Sequence, residues 1–217
     1  MFTTPLLSTR IAAVAAFVAT IGDLLLLYFG NARRPELGLP RIDSIWLQLG
    51  GVAGFVAIPL YTFGYWAVSR PLVKASPRGA WALFASGAIG SAIGGAIHGL
   101  MAWQIGRSLE HGGPAGDPLS VMMDGGTTLL ALWGAATALV VIASGIFIWF
   151  VARGATPFPR GAALWNPALL TLAIAVAGLP TELTRSFLTP AAPNLAHFIF
   201  FVVCAQLLRT QLARASR

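Results

Sequence analysis

The chain has 217 residues, 57% hydrophobic and only 10% charged, with a formal net charge of +7. A typical soluble domain carries roughly 25% charged residues, and no single soluble core of this size could hide so much apolar surface. The basic residues, 13 Arg and one Lys, are scattered rather than clustered, which argues against a nucleic-acid partner. The single cysteine, Cys204, excludes an internal disulfide and fits no metal-ligand spacing.

Crossing a bilayer takes about 20 apolar residues, and the sequence holds several such runs. It predicts an all-α polytopic membrane protein, one domain over residues 1–217 built as a bundle of six transmembrane helices. The expected spans are 11–30, 45–68, 80–106, 127–152, 163–188 and 194–212. Helices are required because a lone segment in lipid must satisfy its own backbone hydrogen bonds, and barrel-type alternation is absent. The first run is too long for a signal-peptide core and carries Asp23, so it reads as a membrane helix. Short, turn-rich connections such as Ser69-Arg70-Pro71 leave no room for a separate soluble domain. Gly125-Gly126-Thr127-Thr128 reads as a helix start rather than a phosphate loop, since no Lys follows it.

Charge gives the orientation. Arg10, Arg70, Lys74, Arg78, Arg153, Arg160, Arg209, Arg214 and Arg217 fall on one side, against Arg33, Arg34, Arg41, Arg107 and Arg185 on the other. Basic residues in short loops favour the cytoplasmic face, which predicts cytoplasmic N- and C-termini. The acids outside the span cores, Glu36, Asp43, Glu110, Asp117, Asp124 and Glu182, all lie on the opposite, outer side.

Ionisable residues within a span are costly and mark candidate sites. Asp23 stands seven residues before Gly30, about 10 Å inside the first helix. His98 stands nine residues before Arg107, about 13 Å inside the third. It extends the stripe Ser86, Gly90, Gly94, beside a parallel stripe Ser91, Gly95, Gly99, and small residues at this spacing predict that the third helix is the packed centre. Glu182 and Arg185 follow Pro180, which should kink or end the fifth helix, and they are spaced to meet on one face. With Gln48, Gln104, Asp124, Asn194 and His197 these groups all fall in the outer half or at its rim. Each alone can be read as a packing or interfacial residue. Their common depth instead predicts a polar, outward-opening cavity, with Asp23, His98 and Glu182 as an acid/base set. Gln48, Gln104, Arg185, Asn194, His197 and the deep Trp133 are expected as ligand contacts, and no metal ligands are expected.

The segments Ile21-Gly22-Asp23-Leu24-Leu25-Leu26, Leu49-Gly50-Gly51-Val52-Ala53-Gly54, Leu60-Tyr61 and Gly64-Tyr65-Trp66 resemble an uncharacterised family of bacterial integral-membrane proteins, known only as a domain of unknown function. The likeness covers mainly residues 1–105 and includes a histidine like His98. It implies the bacterial inner membrane and supplies no activity.

Three functional expectations follow. The first is a protein that binds or transforms a small hydrophobic or lipid-like molecule reaching it from the outer leaflet, with membrane lipids as its surroundings. The second is a haem protein using His98 and His197 as axial ligands. The third is an accessory subunit packed against a membrane-protein partner.

Overall fold

The computed structural model describes residues 4–31, 44–110 and 126–215. The acids Glu36, Asp43, Asp117 and Asp124, and the basic residues Arg33, Arg34, Arg41 and Arg217, lie outside the described residues. Every regular element described is helical. In chain order these are α1 (Pro5–Asn31), α2 (Ile45–Ala57), α3 (Tyr61–Ser69), α4 (Pro77–Glu110), α5 (Gly126–Ala152), α6 (Pro167–Ala177) and α7 (Glu182–Ala215). The short 3-10 turn Ile58–Leu60, with Pro59 at its start, joins α2 to α3 in one long apolar rod. Among the described residues five such rods are long and apolar enough to cross a membrane: α1, α2–α3, α4, α5 and α7.

Among the described residues six uninterrupted spans do not form. The expected fifth helix, 163–188, is replaced by a 3-10 segment Arg160–Trp165, an extended Asn166 and the 11-residue α6. The expected break between 188 and 194 is also absent, because α7 runs through Pro190 and Pro193. The break falls earlier. Thr181 accepts from the Thr184 N–H at 3.1 Å and so caps α7, while the Thr184 hydroxyl donates to the Gly178 carbonyl at 2.8 Å. Gln211 donates to the Pro157 carbonyl at 3.0 Å near the other end of α7. The segment 157–178 therefore returns along the length of α7, in broken form.

The long rods pack antiparallel. Asp23 meets Asn194 and Phe17 meets Phe198, so α1 and α7 run oppositely. α4 opposes α2–α3, with Gly87 beneath Tyr65 and Gly95 beneath Pro59, and it opposes α5 through Gly90 beside Leu139. The glycine stripes do bring α4 close to its neighbours, as small residues allow. The most enclosed pair, however, is α1 with α7, each half buried over its most apolar stretch against a third for α4. Ala12, Ala16 and Ala19 of α1 are fully buried, an alanine seam that does with methyl groups what the glycines do on α4, and Ala12 lies against Gly64 of α3.

Two apolar clusters form the core. One gathers Tyr61, Tyr65, Phe147, Phe200 and Phe201, and the other gathers Leu26, Phe29, Leu47, Ile97, Met101 and Ile105. At the rod ends Arg70, Arg107 and Arg153 fold over Trp66, Trp103 and Trp149, at 5.6, 5.3 and 3.5 Å from the ring centroids. Each tryptophan lies one helical turn before its arginine, the arrangement expected of aromatic belts with snorkelling cations.

Candidate functional site

Asp23 is the hub where α1, α3, α4 and α7 meet. His98 of α4 reaches across to place Nε2 at 3.0 Å from Asp23 Oδ1. Asn194 of α7 donates its side-chain N–H to Asp23 Oδ2 at 2.7 Å, and the Tyr61 hydroxyl of α3 donates to Asn194 Oδ1 at 2.8 Å. The Tyr61 ring stacks on His197, centroids 4.9 Å apart. His197 Nδ1 lies 2.7 Å from the Pro193 carbonyl, and its Nε2 lies 2.7 Å from the Tyr65 hydroxyl. A carbonyl only accepts, so Nδ1 carries the proton of the neutral ring and Nε2 accepts from Tyr65.

Backbone proximity makes this reach possible. A Cβ on Gly54 would overlap the His98 imidazole, and one on Gly22 would fall 2.9 Å from the Gly50 carbonyl oxygen and 3.3 Å from His98 Cε1. Gly22 and Gly50 thus let α1 and α2 close on each other, and Gly54 leaves the slot through which the ring passes. Pressed into that slot, His98 Nδ1 is buried without a hydrogen-bond partner. The consequence is directional. Tyr61 donates to Asn194, Asn194 donates to Asp23, and His98 Nε2 meets Asp23 from the other side, so the carboxyl group is the common partner.

A cavity of about 260 Å³ adjoins this network. Asp23, Tyr61, His98, Asn194 and His197 form its polar end, and Leu26, Ile97, Met101, Trp133 and Val140 are among its apolar walls. The expected polar cavity is therefore corrected: the wall is mainly apolar, with the polar groups gathered at one place. Thr137 and Val141 line it yet are exposed on the outside of α5, at mid-helix. The mouth consequently opens sideways, between α5 and the α6–α7 pair that contributes Ala168, Thr171 and Pro190.

Of the residues singled out in the sequence, Asp23, His98, Asn194, His197 and Trp133 line this one cavity. Four others do not. Glu182 and Arg185 pair with each other on the first turn of α7, half-exposed and exposed. Gln48 is exposed on α2, and Gln104 is half-buried near the end of α4. The acid/base set expected from sequence is thus not assembled, since Glu182 stands apart from Asp23 and His98. Haem does not fit either, because Pro193 and Tyr65 hold both nitrogens of His197, and Asp23 and Gly54 enclose those of His98. Among the described residues no three His, Cys, Asp or Glu side chains converge as a metal site needs.

Sequence reasoning passed over Tyr61, Tyr65, Gly22 and Gly54 as site residues. The signal available was local: Gly22 precedes Asp23 directly, and both tyrosines follow the Gly50–Gly54 segment within about three turns.

The family of unknown function DUF6796 matches residues 4–211. The chain belongs to this family. The DUF6796 match extends well past the first hundred residues and takes in Asn194 and His197 as well as Asp23 and His98. The chain matches no curated protein and no solved structure.

Proposed function

We propose that this protein is an integral-membrane binding protein for an amphipathic, lipid-like molecule. The ligand enters sideways from the bilayer and lays its polar end against Asp23. One observation carries the reading: the cavity is apolar along its walls, polar only where Asp23, Asn194 and His98 meet, and open at mid-helix beside Thr137 and Val141. A mouth at that level faces hydrocarbon, so a chain can follow the apolar wall while a head group leaves lipid for hydrogen bonds. Cavities for whole drug-sized ligands run about 300–1,000 Å³, so a volume near 260 Å³ suits a head group and the first part of a chain.

The site lies in the outer leaflet of the bacterial inner membrane, with both termini cytoplasmic. Its polar end supports this: Asp23 lies in the second half of α1, His98 in the second half of α4, and Asn194 and His197 in the first half of α7, the end that the basic residues assign to the outside. The broken segment 157–178 serves as the return crossing between α5 and α7. Binding is favoured over acid–base catalysis because neither nitrogen of His98 faces the cavity unpartnered: one is held by Asp23, the other is sealed against Gly54.

The test is native mass spectrometry of protein extracted gently from its membrane, beside Thr137→Trp, which fills the mouth from an exposed position. Wild type is expected to carry an amphiphile that Thr137→Trp lacks, with both unfolding at the same temperature. Identical adducts on both proteins, or none on either, would overturn the reading.

A further inference from the structure

We infer that the head group of the ligand is a hydrogen-bond donor carrying no negative charge: a hydroxyl or an ammonium, not a phosphate, sulfate or carboxylate. This rests on the binding role proposed above and concerns the polar end of the same cavity.

The argument is a census of which hydrogen-bonding capacity is already engaged. The donors around the cavity are largely committed inside the protein. Tyr61 donates to Asn194, Asn194 and His98 face Asp23, His197 faces Pro193, and the Ser91 hydroxyl donates to the Gly87 carbonyl at 2.7 Å. At the polar end Asn194 keeps a spare N–H, the second of its amide, and away from it the Thr137 and Thr171 hydroxyls on the cavity wall can each donate or accept. Acceptor capacity is what remains. Each carboxylate oxygen can take about two hydrogen bonds, and each oxygen of Asp23 has one. The Asp23 side chain keeps 15% of its surface exposed, whereas His98 keeps 5%. The accessible group at the polar end is thus a carboxyl oxygen with room for a donor.

Charge points the same way. Among the described residues no Lys or Arg lines the cavity, while one acid does. An anionic head group would be taken from water or the lipid interface into a site with no Lys or Arg to meet it and with Asp23 beside it. Burying a charge without a partner is the costliest arrangement open to a ligand. A hydroxyl completes the hydrogen bonding of Asp23, and an ammonium also answers its charge.

Three probes with one chain and different heads separate the outcomes: oleyl alcohol, oleylamine and oleyl sulfate, titrated into the purified full-length protein and followed by native mass spectrometry. The alcohol, the amine or both are expected to bind at least tenfold more tightly than the sulfate. Equal affinity of alcohol and amine identifies a neutral donor as sufficient, and a preference for the amine identifies a cation. If the sulfate binds as tightly as the others, and Thr137→Trp still blocks it, the head-group inference falls while the binding role stands. If no probe binds in a manner that Thr137→Trp abolishes, the binding role falls and takes the inference with it. The comparison among heads is made on the wild-type protein, so it does not depend on a cavity variant folding. Asp23→Asn adds a second reading, since the discrimination against sulfate should shrink toward one.

Discussion

His98 of α4 meets Asp23 of α1 at 3.0 Å by passing over the bare α-carbon of Gly54 on α2. Three helices therefore share one contact, and the smallest residue decides whether it can form.

Gly54→Ala is expected to destabilise the protein by about 1–3 kcal/mol, because the new methyl group would overlap the imidazole and force His98 or α2 to shift. Gly145→Ala on α5 is the matched control, since nothing lies within 4 Å of its added carbon. It should be neutral or more stable by up to about 1 kcal/mol through helix propensity. Thermal unfolding in detergent measures both, and equal effects at the two positions would remove the slot from the argument.

Gly95→Leu should also destabilise by about 1–3 kcal/mol, since Pro59 Cδ already stands 2.9 Å from where its Cβ would be. Gly94 faces the cavity, with only the Ile58 side chain near, at 3.2 Å. Gly94→Leu should be the milder of the two in the same unfolding measurement and should reduce the cavity instead. The reverse ranking would mean that the two stripes of α4 have been assigned to the wrong neighbours.

Tyr61→Phe removes the hydroxyl that donates to Asn194, and Tyr65→Phe the one that donates to His197. Hydrogen bonds between membrane helices average about 0.6 kcal/mol and reach about 1.7, so each variant should lose stability within that range. In a double-mutant cycle Tyr61→Phe and Asn194→Leu should couple, whereas Tyr61→Phe and Gln48→Ala should add, Gln48 being exposed elsewhere on α2. Additivity in both cycles would show that the Tyr61–Asn194 bond carries no energy.

Glu182→Ala should change stability by less than about 0.5 kcal/mol and leave amphiphile retention intact. Its carboxylate meets Arg185, whose side chain is 58% exposed, and pairs of that kind contribute little. Loss of retention in native mass spectra of this variant would return Glu182 to the site.

A reporter fused after Arg217 should give cytoplasmic-type activity only. The basis is the excess of Arg and Lys in the loops assigned inside. Periplasmic-type activity would invert the orientation and move the cavity to the inner leaflet.

The sequence by itself determined the class of this protein and which residues to suspect. Apolar runs of membrane length are a local property, written residue by residue, so the helices came out legibly, as did the unusual cost of an Asp23 or His98 among them. Helix continuity was less legible where prolines crowd. Pro180, Pro190 and Pro193 each permit a break, and only the packing of α6 on α7, with Thr181 and Thr184 as the cap, places it at 178–181. Which polar residues belong together was decided by tertiary structure alone. Asp23 and Asn194 lie 171 positions apart, and Glu182 is far nearer to Asn194 in the chain than Asp23 is, yet Asn194 bonds Asp23 and Glu182 turns to Arg185. Similar depth along parallel axes does not fix rotation about them. That rotation was set by the alanine seam of α1 and the glycines of α2 and α4, which decide how closely each pair of backbones can approach and so which side chains face inward.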